Sequence, residues 1–351
     1  VEIQEKKAIS EKGINKVYHV IFKDGGAGIF KPKSGEKPIP KMEEVFSAGT
    51  YYRRERAAYL VDKFLGFGVV PPTEIRTIDG EEGSIQKFVE GTTPLNLLPP
   101  EEKIDQKFKV NSQELGFYYI INQSDFVEEN FLVSNGKVSA IDNGLSFEKT
   151  VTNFDYDNFW HQPLPEDLSQ NIQGFFKNEK LVRALRDSLS ELLSLKEINA
   201  CFVRAEKVCD FLETKESEKN EMKASIRSVY EQIFDRHTSN AERVQETTAG
   251  ISTFLESEKA GLNGEQIRKA IEECSSIEDK DKFLDKIVLA VLPVYEFMQN
   301  NPELIKEIGM GAAGYKKINE ALYYGEDKNS VNIHLAPSEE LGINKSEEIG
   351  C

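Results

Sequence analysis

The first ninety residues hold strand-length runs, turn signals and a single helix-period segment. That order restricts the opening of the chain to a small, mostly antiparallel sheet carrying one helix. Tyr18-His-Val-Ile-Phe22 is a β-rich run, Asp24-Gly-Gly26 is a turn signal, and Ala27-Gly-Ile-Phe-Lys31 returns as the partner strand. Residues 34–50 contain Gly, Pro and Ser and read as a connecting loop. From Arg54 to Leu65, the apolar residues Ala57, Ala58, Leu60, Val61, Phe64 and Leu65 keep a 3.6-residue period, which predicts a helix that Gly66 can end. Glu74–Ile78, an Asp79-Gly80 turn and Ser84–Val89 supply two more strands. With a first strand over residues 4–10, the order is β-β-β-α-β-β.

The pattern then changes. Residues 91–100 contain three prolines and read as a break, and Ser112–Asn122 reads as an aromatic-rich helix. Phe131–Val133 and Val138–Ile141 form a hairpin around Ser134-Asn-Gly136. From about residue 165 the chain is helical and highly charged. Met222, Ile226, Val229, Ile233 and Phe234 make one apolar stripe, and Leu284, Ile287, Val288, Val291 and Leu292 another; both read as packing surface. The expected division is a β-rich lobe over residues 1–90, a helical lobe over 91–200, a helical extension over 201–325 that completes that lobe or stands as a separate module, and a polar tail over 326–351.

Composition narrows the class. With 351 residues, 21 Phe and 12 Tyr the chain can bury a sizeable core, and no apolar run approaches the roughly 20 residues a membrane-spanning helix needs. A net charge of −16 argues against a nucleic-acid binder or a general anionic-membrane binder. It suits solubility and a basic protein partner. The four cysteines, at 201, 209, 274 and 351, form no CxxC pair, and His is rare, so neither a zinc site nor a disulfide framework is expected. Charged Val1-Glu-Ile-Gln-Glu-Lys-Lys7 is no signal peptide, and the opening Val reads as a trimmed start. Together these point to a reducing, cytoplasmic setting.

One constellation carries chemistry. Asp125 is followed five residues later by Asn130, and twelve residues after that by Asp142 within Ala140-Ile-Asp-Asn-Gly144. Phosphoryl transfer from ATP needs a cation on the phosphates, a metal ion bridging them, and a carboxylate that orients the attacking hydroxyl. Asp125 fits the last role, and Asn130 and Asp142 fit the metal. Lys31, alternating out of the strand Ile29-Phe30-Lys31, is the candidate cation, and Glu55 in the first turn of the following helix is its candidate partner. Each has a plain alternative, a solvated strand lysine and a helix-dipole glutamate; their joint order makes them an active-site set.

These pieces resemble the phosphatidylinositol 3-/4-kinase-related superfamily, nearest the type II phosphatidylinositol 4-kinase branch and its bacterial, effector-type relatives. The resemblance rests on Gly28-Ile-Phe-Lys-Pro-Lys33, Glu55–Val61, Leu65–Thr73, Gly83–Gln86, Asp125–Asn130 and Ala140–Phe147, spanning residues 10–165. It implies an α+β fold: a two-lobed protein-kinase-like fold with a β-rich N-lobe, a helical C-lobe and a helical C-terminal extension. It also implies ATP with Mg²⁺ or Mn²⁺ as cofactors. The phosphate loop then lies at Ser10–Lys16, with Gly13, Asn15 and Lys16 beside the nucleotide, and the adenine linker at Gln86, Phe88 and Val89. Asp24-Gly-Gly26 becomes only an inter-strand turn.

The departures bear on the acceptor. Residues 35–52 lack the cysteine-rich palmitoylation stretch of the type II lipid enzymes. The catalytic loop reads Phe126-Val-Glu-Glu129, and residues 145–160 hold Lys149 against Glu148, Asp155 and Asp157. Carboxylates repel an anionic headgroup. A protein Ser/Thr acceptor is therefore the first expectation, a phosphatidylinositol 4-kinase activity the second, and a catalytically silent nucleotide-binding scaffold the third. Lys33, Lys37, Lys41, Arg53 and Arg54 form a basic cluster that is a candidate polyanion site for an inositol phosphate or phosphoinositide. The Lys-, Glu- and Asn-rich composition suits a secreted bacterial effector acting in a host cytosol or at its membranes, without a transmembrane segment.

Overall fold

The computed structural model describes residues 2–9, 15–39, 42, 45–102, 116–150, 164–256 and 261–301. Strands β1 (Ile3–Ala8), β2 (Tyr18–Phe22), β3 (Ala27–Pro32), β4 (Thr73–Ile78) and β5 (Glu81–Lys87) build one antiparallel sheet in the order β1-β2-β3-β5-β4. Helix α1 (Tyr51–Leu65) connects β3 to β4. The expected β-β-β-α-β-β order is thus realised, with each element starting within three residues of where the sequence pattern places it.

Strand alternation splits the sheet into two chemically different faces. Val20, Phe30, Ile78 and Ile85 pack together on one face, with Ile3, Tyr18 and Phe22 against them. The intervening residues of β3 and β5, Ile29 and Lys31 opposite Gln86 and Ser84, take the other face. Close pairing at the end of β3 depends on Gly83, where a Cβ would fall 2.3 Å from the Lys31 carbonyl oxygen.

Helix α1 is capped from a distance. Its N-cap residue Thr50 makes no side-chain cap. Instead the Glu36 carboxylate accepts from the backbone N–H of Gly49, of Tyr51 (3.0 Å) and of Tyr52 (2.7 Å), a negative charge at the positive end of the helix. At the other end Gly66 takes φ +84, and the buried Asp62 accepts the Val69 N–H at 2.8 Å. Burial pushes the Asp62 carboxyl up to about 6.

The helical lobe packs beneath α1. Ala57, Leu60, Val61 and Leu65 share a core with Phe117 and Ile120 from helical residues 116–121 (α2), Ile172 and Phe175 of α3 (Glu166–Phe176), Leu185 and Leu189 of α4 (Glu179–Ser190), and Phe202 and Val208 of α5 (Leu195–Arg236). The proline-rich break is partly a strand: β6 (Thr93–Pro94) pairs with β7 (Phe131–Ser134), which pairs with β8 (Lys137–Ala140). Pro94 is tolerated because β6 is an edge. The described residues of the first 215 thus form an α+β, two-lobed fold, a β-sheet lobe followed by a helical lobe.

The chain divides into two compact units, 1–215 and 216–351, with the division inside α5. In the second unit, α6 (Asn240–Leu255), α7 (Gly264–Glu272) and α8 (Lys280–Asn300) join the end of α5. Both apolar stripes enter one core there: Met222, Ile226 and Ile233 are buried with Leu284, Ile287, Val288, Val291 and Leu292. The helices start on well-formed caps, a Ser239–Glu242 capping box for α6, Asn263 for α7 and Asp279 for α8. Among the described residues, no helix is long and apolar enough to cross a membrane. Cys201, Cys209 and Cys274 are free and buried, and burial pushes each thiol up to about 11, so they pack as inert apolar groups. The expected tail over 326–351 lies outside the described residues.

Candidate active site

Three elements far apart in sequence bring three charges together. Lys31 on β3 reaches Glu55 on α1, 24 residues on, and Asp142, 111 residues on. Its Nζ donates to Glu55 Oε1 and, at 2.9 Å, to Asp142 Oδ1. The Glu55 side chain is only 3% exposed, and its Oε2 accepts the Asn143 N–H at 3.1 Å. One carboxylate thus holds both the ammonium and the backbone just after Asp142. Gly144 permits the approach, because a Cβ there would lie 3.2 Å from Tyr51 Cβ.

The electrostatics follow from burial and neighbours. Burial pulls the Lys31 ammonium down, but Asp142 and Glu55 outweigh it and hold the group above its ordinary value. Burial pushes Glu55 up, with Lys31 opposing and Asp142 adding to the rise. Lys31 holds Asp142 below the usual carboxylate range against the pull of burial. Two carboxylates face one ammonium, and Asp142 remains 55% exposed. Asp142 also sits in the left-handed region at φ 59, a conformation that costs a non-glycine residue about 1 kcal/mol or more and aims its side chain off the strand end.

The Asp125 loop is knit to this cluster. Ile141 N–H donates to the Asn130 carbonyl (2.9 Å), and Ser124 N–H to the Leu145 carbonyl (3.0 Å). Asn130 is buried, and its Nδ2 donates to the Asp125 carbonyl at 3.2 Å. Gln123 makes the most direct bridge: its Oε1 accepts the Asp125 N–H (3.2 Å) while its Nε2 donates to the Asp142 carbonyl (3.1 Å). Asp125, Asn130 and Asp142 therefore belong to one hydrogen-bonded unit. Asn130 and Asp142 offer an amide and an ionised, half-exposed carboxylate. That set fits Mg²⁺ or Mn²⁺ shared with phosphate oxygens and water, since such ions use one or two protein carboxylates there. Among the described residues there is no group of three or more His, Cys, Asp or Glu that could hold a metal ion.

The remaining expected residues divide. Residues 9–17 connect β1 to β2, where the phosphate loop was expected; Gly13 lies outside the described residues. Lys16 is exposed, whereas Asn15 Oδ1 accepts the Lys37 N–H at 3.0 Å and so ties the loop to the β3–α1 connection. In the linker, the Phe88 N–H donates to Ala27 (3.0 Å) and the Val89 carbonyl accepts from Thr92 (3.2 Å). Gln86 is buried with its amide donating to Thr73 Oγ1 at 3.0 Å.

The basic cluster does not assemble as expected. Arg54 is 5% exposed and donates to the Ser146 carbonyl and to Glu197, so it is unavailable to a polyanion. Arg53 Nε donates to the Tyr52 hydroxyl at 2.9 Å. Lys33 and Lys37 are exposed, and Lys41 lies outside the described residues. Sequence spacing cannot distinguish the buried face of α1 from its solvent face for an arginine whose partner, Glu197, is 143 residues away.

Several positioning residues escaped the sequence reading. Gln123 and Glu36 are polar loop residues with no periodic signal. Arg204, fully buried, clamps the Ile120, Glu148 and Thr150 carbonyls at 2.9, 3.2 and 3.0 Å, fixing the chain after Asp142. An arginine within the apolar period of α5 was the available clue.

No family model matches the chain, and no curated protein matches it. Among solved structures it is similar to the Golgi casein kinase with Mn/ADP bound, at 17% identity and TM-score 0.40, covering 60% of this chain and 72% of that one. It is similar to the Helicobacter pylori proinflammatory kinase CtkA at 12% identity and TM-score 0.41, covering 61% and 95%. A hydra Fam20 structure with sugar matches at 13% identity and TM-score 0.39, covering 62% and 88%. With likeness at this level, function is read from this chain's own side-chain geometry.

Proposed function

We propose that this chain is an ATP-dependent kinase that transfers the γ-phosphoryl group to Ser or Thr of a protein. One observation carries the proposal: Lys31, Glu55 and Asp142, from three separate elements, converge on a single ion cluster to which the Asp125–Asn130 loop is hydrogen-bonded. In this reading Lys31 orients the α- and β-phosphates and Glu55 holds Lys31 in place. Asp125 accepts the hydrogen bond of the attacking hydroxyl and takes its proton as the new P–O bond forms and the bond to the ADP oxygen breaks. Asn130 and Asp142 hold a divalent ion, which when bound supplies positive charge to the phosphate oxygens.

The protein acceptor is inferred from charge. Glu128 and Glu129 lie three and four residues after Asp125, and the chain carries −16 overall, a poor setting for a phosphoinositide headgroup. The Phe30-Lys-Pro-Lys33 and Ile141-Asp-Asn-Gly144 pieces are what favour the second reading, a phosphatidylinositol 4-kinase. An inositol-phosphate activator would have to use the exposed Lys33 and Lys37.

The test is incubation with ATP labelled at the γ-phosphate and Mg²⁺ or Mn²⁺, offering cell-lysate proteins, a basic protein and phosphoinositide vesicles in parallel. Label on protein Ser/Thr that vanishes with Asp125→Ala is the expected result. Label on lipid alone replaces this reading with the lipid kinase, and no label on any acceptor replaces it with the silent scaffold.

A further inference from the structure

His19 lies in β2 directly across from Ile29, which lies across from Gln86 on β5 and then Thr73 on β4. Paired residues in an antiparallel sheet point to the same side, and residues two apart on a strand share that side. His19, Ile29 and Gln86 therefore form a row on the Lys31 face, one pleat repeat from Lys31 toward the linker. The His19 ring meets Phe88 edge-on, with centroids 4.8 Å apart. Phe88 is itself 37% exposed, an open aromatic surface where the linker leaves the sheet.

Within this row the polar groups are not equivalent. The Gln86 amide is spent on Thr73 Oγ1. His19 Nε2 is shielded from solvent and, among the described residues, has no hydrogen-bond partner. A buried polar nitrogen without a partner is costly in the free protein and becomes favourable once a ligand supplies the missing bond. A flat heteroaromatic ring with polar atoms on its edge supplies both that bond and a surface for Phe88.

We infer that His19 contacts the base of the bound nucleotide through Nε2 and, with Phe88, sets which base the site accepts. This rests on the kinase reading and adds a specificity residue to it. The phosphates are held at Lys31 and the base is read at His19, so the two ends of the nucleotide are recognised independently.

Calorimetric titration of the full chain with Mg²⁺ and either ATP, GTP, CTP or inorganic tripolyphosphate separates those ends. The wild type is expected to bind ATP more tightly than tripolyphosphate. His19→Phe keeps the ring and removes the hydrogen bond. It should lower ATP affinity about tenfold, flatten the ranking among the three nucleotides, and leave tripolyphosphate affinity unchanged. His19→Gln, which keeps a donor and an acceptor, should retain most of the ATP affinity. The melting temperature of His19→Phe should equal or exceed that of the wild type, because an unpaired buried polar atom has been removed.

Unchanged ATP affinity and unchanged ranking in His19→Phe would overturn the inference. So would a wild type that binds tripolyphosphate as tightly as ATP, and either result would leave the phosphate site standing. A wild type that binds neither ATP nor tripolyphosphate removes the kinase reading itself, and this inference with it.

Discussion

The two units of the chain are built on opposite terms. Among the described residues, the buried polar and charged side chains Arg54, Glu55, Asp62, Thr73, Ser84, Gln86, Asn130, Asn143, Ser146, Gln173, Glu197 and Arg204 all belong to the first unit, against Thr247 alone in the second. The second unit keeps its charges outside, as in the exposed contacts of Arg227 with Asp281 and Asp285, and fills its interior with Ile, Leu, Val and Phe. Buried polar groups are expensive unless every partner is in place. Glu55, Asn130 and Asn143 place part of that expense in the ion cluster and the loop bonded to it, and the second unit shows what the same chain builds where packing dominates.

This contrast can be broken most sharply by activity. Asp125→Ala should lower phosphoryl transfer by about a thousandfold with a nearly unchanged melting curve, as measured by initial rates of acceptor labelling. A proportionate loss of stability would make Asp125 a structural residue and erase the distinction. In the second unit, Phe283→Ala should cost about 4 kcal/mol in denaturant unfolding while nucleotide affinity of the folded protein stays at the wild-type value.

Within the first unit, Arg54→Met leaves Glu197 buried without its guanidinium and should cost about 3–4 kcal/mol. Replacing both partners, Arg54→Met with Glu197→Leu, should recover most of that, since a packed apolar pair avoids the desolvation of both charges. Chemical denaturation of the two variants decides whether the pair is a costly necessity or a replaceable one.

The smallest expected effect is in pH. The folded carboxyl of Asp62, at about 6, lies above its ordinary 3.8, so the folded state holds its proton more tightly. That contribution to stability is full below the ordinary value and is lost as pH rises through about 6. Between pH 5 and pH 7 the wild type should therefore lose about 1 kcal/mol more than Asp62→Asn, read as the difference between their unfolding free energies.

What the sequence made legible follows the range of the interactions. The strands, α1 and the hairpin after Asp125 are local patterns of period and turn, and they stand within a few residues of expectation. The order and spacing of Lys31, Glu55, Asp125, Asn130 and Asp142 made their meeting in the fold readable, while the chemical roles given to them above are the proposal. Gln123 and Glu36 were not, because an isolated polar loop residue has no pattern, and its role is fixed only when the chain has folded. Arg54 was misread for the same reason: a cation beside other cations in sequence looks like a patch until Glu197 arrives from another helix.

Glu36 carries a consequence of its own. It stands five residues after Lys31, and its bonds to Gly49, Tyr51 and Tyr52 close the base of the connection between residues 37 and 48. Both flanks of that connection are anchored before it begins and after it ends, so its length is decoupled from the distance between Lys31 and Glu55. Each doubling of such a closed segment adds only about 0.6 kcal/mol of closure entropy. The chain thus has a place where new sequence can be inserted beside the ion cluster without moving either of the groups it joins.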